Sequence, residues 1–346
     1  MKIQKEDLLE ILEAVKPGLA KKEIIDETGN FVFTGTGLFT YNDLLCIAYP
    51  LESGLDVSIP SEEFYKIVKR LKKGILTLNV ANQKLKLRAK NTTAELAVIT
   101  ETELPGFIGR IKIPPKTSKK WKDLPEELVE GMLWCSFTAM KSNVIPTLSG
   151  IYVTGNMVLT SDELRVSKYT LEKTSPFTFL LPHETFKTIE SFEPSKFHVG
   201  KDWAFFMNDA GVIVCSRVLP AESYPHTELS AQFSIGRSKA LTLPNDLLTA
   251  LDLGEVLAEG GIPEEKRVDL EIKSKQIIVS SSKAETGSIT TKVKFDGDIK
   301  TPIKVTINPI HLKDVLQSAA KVRFGTDRAL FSAGPFSHLV SLFVGD

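Results

Sequence analysis

Three α+β domains in tandem, each with two helices packed on antiparallel sheet, is the fold class that this 346-residue sequence predicts. Three observations carry the prediction. One strand-to-helix junction is written three times, as "SIPSEEFYKIVKRL" (58–71), "LLPHETFKTIESF" (180–192) and "TINPIHLKDVLQS" (306–318). A pair of alternating strands around a polar turn follows each junction. A helical stretch opens each third of the chain. Anchored on Ile59, Leu181 and Ile307, the repeat has a period of about 120 to 125 residues, the size of one small domain.

The elements follow in order. The first helix carries Leu8, Leu9, Ile11, Leu12 and Val15 on one face and stops at Pro17-Gly18. "FVFTGTGLFTYND" (31–43) aligns with "IYVTGNMVLTSDE" (151–163), and "RVDLEIKSKQIIVSSS" (267–282) keeps the hairpin without the glycine. After each junction come "LTLNVANQKLKLRA" (76–89), "KFHVGKDWAFFMND" (196–209) and "KVRFGTDRALFSAG" (321–334), whose alternation around a turn is the hairpin pattern. A last strand closes each unit: "AELAVI" (94–99), "GVIVCSRVL" (211–219) and "HLVSLFV" (338–344). The second unit's opening helix reads as a capping box with Asp123 as N-cap and Glu126 reaching back. The third has Leu247, Leu248, Leu251, Val256 and Leu257 after Pro244. Boundaries fall in "IKIPPKTSKKWK" (111–122) and "SIGRSKA" (234–240), giving domains at 1–115, 116–236 and 237–346.

The composition, 42% hydrophobic and 25% charged, is that of a globular chain. Lysines and arginines number 43 and acids 43, so a chain coated in positive charge is excluded while a local basic stripe is not. Cys46, Cys135 and Cys215 are far apart and odd in number, which supports neither a disulfide framework nor a zinc site. A reducing cytoplasmic setting is the simplest fit. No secretory leader and no membrane span are expected.

The ensemble resembles the bacterial sliding clamp, the beta subunit of DNA polymerase III. The likeness covers essentially the whole chain, from "MKIQKEDLL" through "LSGIYV" (148–153), "TSDELRV" (160–166), "FLLPHETF" (179–186) and "ESYPHTE" (222–228) to the terminal strand. The resemblance implies a head-to-tail homodimer: six domains in a ring, sheets outside, helices around a hole that admits duplex DNA. It implies a processivity factor that tethers polymerase by topology, recruits polymerase and clamp loader through short linear motifs, and needs no cofactor. The alternatives are a clamp-like interaction protein that does not encircle DNA, and a metal-dependent hydrolase or nuclease using carboxylates such as Asp43 and Asp162.

The recurring helix checks this independently. In the first unit Phe64, Ile67, Val68 and Leu71 step by three and four, and Lys66, Lys69, Arg70 and Lys73 step identically on the opposite face. Phosphate attraction without sequence preference suits a sliding ring; a solvated helix face accounts for the same pattern. The matching outward positions are Thr188, Ser191, Phe192 and Ser195 in the second unit, and Asp314, Gln317, Ser318 and Lys321 in the third. The opening helices of those units are acidic. Lys21, Lys22 and Lys141 near helix ends add candidates, so DNA attraction is expected to be weak, salt-sensitive and concentrated on the first domain.

By the resemblance, a partner-peptide groove falls at Leu148, Ser161, Leu164, Arg165, Val166, Pro225, Leu229, Val340, Leu342, Phe343 and Val344. Plain core packing is the competing account for these apolar positions. The family pattern Thr-Asp-Gly-His-Arg-Leu is here Ser161-Asp162-Glu163-Leu164-Arg165-Val166, and Phe343 stands where proline is common. A groove reshaped for its own polymerase, as in a phage or mobile-element clamp, is consistent with that divergence. Leu96, Val256 and Leu257 are the candidates for the dimer interface, with burial inside one domain an equal account.

No catalytic signature appears. The five histidines are scattered, and none lies in a metal-binding pattern. "GTG" (35–37) lies in a hairpin turn, and "HET" (183–185) starts a helix where Glu184 complements the dipole. An enzyme is not expected.

Overall fold

The computed structural model describes residues 1–22, 27–100, 106, 109–141, 145–236 and 238–343. Its chain divides into two compact units, Met1–Glu126 with Leu181–Leu219, and Glu127–Leu180 with Pro220–Asp346. The helices are α1 (Lys5–Val15), α2 (Ser61–Arg70), α3 (Glu126–Ser136), α4 (His183–Ser191), α5 (His226–Ala231), α6 (Leu247–Val256) and α7 (Pro309–Leu316). Apart from four short 3-10 turns, the other regular elements among the described residues are antiparallel strands, so the chain is α+β.

The first unit holds two sheets. One is four-stranded, with Lys2–Gln4, Ile75–Ala81, Lys84–Ala89 and Thr92–Ala97 in that spatial order. The other has eight strands and joins two sequence repeats: Leu45–Pro50 pairs with Ile213–Arg217, with Cys46 opposite Cys215. Side chains alternate across it, as a pleated strand requires. Phe31, Phe33 and Val57 are fully buried, and Phe31 meets Phe64 of α2 edge-to-face at 6.3 Å between ring centres. The neighbouring residue Val32 joins a separate core with Tyr41, Trp203, Phe205, Met207 and Cys215, closed by Ile111 and Trp121.

The second unit is organised around one continuous twelve-stranded sheet in place of two. Gly150–Thr154, Met157–Ser161 and Arg165–Thr170 form a meander whose last strand pairs with Phe336–Phe343, Val166 lying opposite Leu339. That long strand also pairs with Arg328–Ala333 and Ile303–Ile307, and the sheet continues through Val268–Ile272 and Gln276–Lys283 to an edge at Gly287–Lys294. In both units, then, the third strand of one repeat is satisfied by the last strand of the next. An edge that would otherwise expose its amides is closed within the chain.

Two local expectations are corrected. α2 ends at Arg70 because Leu71 is extended at φ −66°, ψ 149°, so Lys73 lies in the following turn and the cationic stripe is one residue shorter than its periodicity suggests. Asp123 caps no helix: with Lys122 it forms a two-residue strand against Lys196–Phe197, and α3 begins three residues later. Pairing with a neighbouring strand outcompeted the local capping-box signal. The hairpin reading of "GTG" holds, with Gly35 at φ 73°.

Candidate functional site

The strand junction of the second unit brings together five of the expected groove residues, Ser161, Leu164, Arg165, Val166 and Val340. Between Ser161 and Arg165 the chain turns on side-chain hydrogen bonds. Asp162 Oδ1 accepts from the amides of Leu164 and Arg165 at 3.2 and 2.8 Å, and Ser161 Oγ donates to the Arg165 carbonyl at 2.9 Å. This is the Asx geometry that lets an acidic residue nucleate a turn. In the first unit it is Asn42, not Asp43, that does the same, accepting from Leu44 and Leu45 at 2.9 and 2.8 Å. Glu163 occupies the left-handed region at φ 74°, the position where the resembling pattern has glycine.

Arg165 is almost wholly buried and fully engaged. Its guanidinium reaches Asp162 Oδ2 at 2.8 Å and Asp314 Oδ2 of α7 at 2.7 Å, and lies 5.9 Å from the centre of the Phe137 ring. A guanidinium so committed acts as a brace for the turn. Beneath it runs a buried polar chain, Thr138 to Ser167 at 2.5 Å and Ser167 to His338 Nδ1 at 2.7 Å. Burial and the nearby Arg165 charge hold His338 well below the usual histidine range and bring His311 down to about 3.

The pairing of Arg165–Thr170 with Phe336–Phe343 sets Leu164 beside Ser341, whose amide donates to the Leu164 carbonyl at 2.9 Å. Leu164 is 36% exposed, whereas Ser161, Val166 and Val340 are core. Leu148, Leu229 and Leu342 are buried near the surface, Pro225 is half-buried, and Val344 lies outside the described residues. α5 is fixed to this sheet by stacking: the Tyr152 ring lies 4.7 Å from Tyr224 at 7° and 5.2 Å from His226. Phe343 stacks under the Arg267 guanidinium at 4.5 Å and lines a polar cavity of about 510 Å³ with Asp269, Glu271, Lys304 and Thr306. Sequence reasoning missed the bracing residues Asp314 and Phe137. Asp314 lies 149 residues from Arg165, and no local pattern links them.

The expected DNA-facing residues Lys21, Lys22, Lys66, Lys69, Arg70, Lys73, Lys141 and Lys321 are all exposed. Lys66 is paired with Glu62, and Lys69 donates to the Tyr65 hydroxyl at 3.4 Å. Lys21 and Lys22 line a cavity of about 700 Å³ with Asn42, Asp43, Glu184 and Thr188. α1 carries Glu6, Asp7, Glu10 and Glu13 against one lysine, and α3 carries three acids and no base. In α6 and α7, Lys313 is taken up by Asp252 and Glu255 at 2.7 and 2.6 Å.

Of the expected interface residues, Leu96 is half-buried on the edge strand Thr92–Ala97 and Leu257 is half-buried after α6. Val256 is 74% exposed, and Leu253, one turn earlier on α6, joins it at 44%.

Among the described residues no three His, Cys, Asp or Glu side chains are placed to hold a metal ion. All three cysteines are buried, and burial pushes the thiols of Cys135 and Cys215 up, away from a reactive thiolate. Among the described residues no helix is long and apolar enough to cross a membrane.

No family model and no curated protein matches the sequence. Solved structures do match along the whole chain. The beta chain of DNA polymerase III from Streptococcus pneumoniae superposes at TM-score 0.84 with 17% identity, covering 99% of each chain. The DNA polymerase sliding clamp from Bacillus subtilis gives 0.83 with 17% identity, over 100% of this chain and 99% of that one. The DNA polymerase III subunit beta from Pseudomonas aeruginosa gives 0.80 with 16% identity over the full length of both. This chain therefore has, from end to end, the fold of the bacterial DNA polymerase III beta subunit.

Proposed function

We propose that the protein is a DNA sliding clamp, a processivity factor without catalytic activity of its own. The observation that carries this is the full-length agreement with clamp structures at TM-scores of 0.80 to 0.84, with neither chain having an unmatched domain. In this reading the chain comprises three clamp domains, 1–115, 116–236 and 237–346. Two copies close head-to-tail into a ring, with the apolar residues Leu96, Val256 and Leu257 at the closure. Duplex DNA passes through the ring, and polymerase and loader dock short peptides beside Leu164, Pro225, Leu229 and Leu342. The working compartment is the cytoplasm, and neither a metal nor a cofactor takes part.

The acidic α1 and α3 favour a ring that holds DNA by topology with little electrostatic grip. The direct test is retention on circular against linear DNA. A loaded clamp stays on nicked circles through a wash and is lost once they are linearised. Equal loss from both, or a strict monomer in solution, would favour a clamp-like interaction protein instead.

A further inference from the structure

A second concentration of positive charge in the first unit lies outside α1, α2 and α4. Residues 109–122 contain Arg110, Lys112, Lys116, Lys119, Lys120 and Lys122 and no acid. Ile111 and Trp121 anchor this segment on the face of the eight-stranded sheet opposite α2, and Trp121 Nε1 donates to the Pro115 carbonyl at 2.9 Å. At its start opens a cavity of about 430 Å³. Tyr41, Trp203 and Phe205, all buried, line it, and Arg217 forms part of its wall. Lys112 and Lys201 are exposed at its rim, and Asp202 is the one acid among the lining residues.

The internal repeat gives this cavity a counterpart. Tyr41 aligns with Ser161, and Leu45 with Arg165. Leu45 lies opposite Ser216 as Arg165 lies opposite Val340. The first unit thus has a cavity beside the equivalent junction, with an aromatic floor and a cationic rim.

The occupant follows from how the aromatics are used. The Arg217 guanidinium lies 4.4 Å from the Trp203 ring centre, its Nε donates to the Asp43 carbonyl at 3.4 Å, and Tyr41 packs on Trp203 at 6.1 Å. With Arg217 and Tyr41 packed on it, Trp203 is a poor platform for a stacked base. A half-buried guanidinium held flat by an indole, backed by lysines, suits a carboxylate. The volume suits one or two side chains, the scale of a linear-motif anchor. We propose that this cavity is a second docking groove, which takes a carboxylate side chain from an acidic linear segment of a partner protein on Arg217, Lys112 and Lys201.

The test uses the full chain and a fluorescein-labelled peptide, Glu-Asp-Leu-Asp-Glu-Leu-Asp-Glu, followed by anisotropy at 0.1 M salt. Saturable binding is expected. Lys112→Glu with Lys201→Glu, both exposed and harmless to folding, should weaken it about tenfold or more, and Arg217→Gln likewise. Lys283→Glu with Lys292→Glu, on strands of the second unit, should change it less than twofold, and so should Leu164→Glu in the other groove. The proposal is overturned if the Lys112/Lys201 variant binds like the wild type, or if the control pair weakens binding equally. It is also overturned if a thymidine decanucleotide displaces the peptide at lower concentration than the unlabelled peptide does, which assigns the cavity to nucleic acid. Because the readout is peptide binding by the free protein, its failure is distinct from failure to stay on circular DNA.

Discussion

Arg165 and Asp314 are joined by a 2.7 Å charged hydrogen bond that ties the turn at the end of one meander to helix α7. The arginine side chain is 8% exposed and the aspartate 39%, so the pair is desolvated on one side only. Removing Asp314 leaves Arg165 its second partner, Asp162. Removing Arg165 leaves Asp162 and Asp314 without the guanidinium they share. Asp314→Ala is therefore expected to cost about 1 kcal/mol and Arg165→Met about 2 to 3 kcal/mol. Urea unfolding of both and of the double variant checks it, with a double variant less destabilised than the two losses added. A milder loss for Arg165→Met than for Asp314→Ala would remove the brace.

Glu163 provides a second, opposite-signed test. Its backbone is left-handed at φ 74°, which costs a residue with a Cβ about 1 kcal/mol relative to glycine. Its side chain is exposed, and its amide donates to Ser161 Oγ at 3.2 Å. Glu163→Gly is expected to stabilise the protein by about 0.5 to 1 kcal/mol in the same urea assay. A destabilised glycine variant would show that the carboxylate has a role its surroundings do not reveal.

The buried histidines set a pH dependence. His338 shares a hydrogen bond with Ser167 through Nδ1, its Nε2 has no hydrogen-bond partner among the described residues, and Phe336, Phe137, Arg165 and His311 surround it. Burial, reinforced by the Arg165 charge, keeps both His338 and His311 neutral in the fold. In the unfolded chain each titrates near 6.5, so unfolding takes up protons below that pH. Their stability contribution is complete above about pH 6.5 and falls by about 1.4 kcal/mol per pH unit for each as the pH drops. For His311 the loss continues until about pH 3, where the folded ring itself protonates. Melting temperatures between pH 7 and 5 should fall in the wild type and fall less steeply in His338→Gln. Parallel slopes would place the proton uptake elsewhere.

What could be read from the sequence was what repeats. The three junctions, the hairpins and the helix at each opening recur at a fixed spacing, and period and turn chemistry are local properties of a chain. The pairing of Leu45–Pro50 with Ile213–Arg217, and of Arg165–Thr170 with Phe336–Phe343, was not legible, because a strand carries no mark of which distant edge it will close. The capping box at Asp123 failed for the same reason, since a partner strand 73 residues on claimed it. Among the residues that the resemblance assigned to a partner groove, exposure depends on both paired strands, which no local pattern reports: Val166 and Val340 are core and Leu164 is surface.

The cations of α2 give the sharpest electrostatic prediction. Lys66, Lys69 and Arg70 are exposed along one side of the helix, but Lys66 already neutralises Glu62, and α1 contributes Glu13 through its 2.9 Å bond from the Tyr65 hydroxyl. DNA attraction by this face should therefore be real but small. Replacing all three with glutamine removes at most three phosphate partners, and the log–log salt slope of duplex binding should flatten by about 2 to 3. Lys66 should account for the least of this, because releasing it exposes Glu62. Stability should be essentially unchanged, since an exposed pair of this kind contributes little. Filter binding of a short duplex between 25 and 150 mM salt measures the slope. An unchanged slope would move the DNA contact off α2 altogether, leaving exposed Lys21, Lys22, Lys141 and Lys321 to carry it.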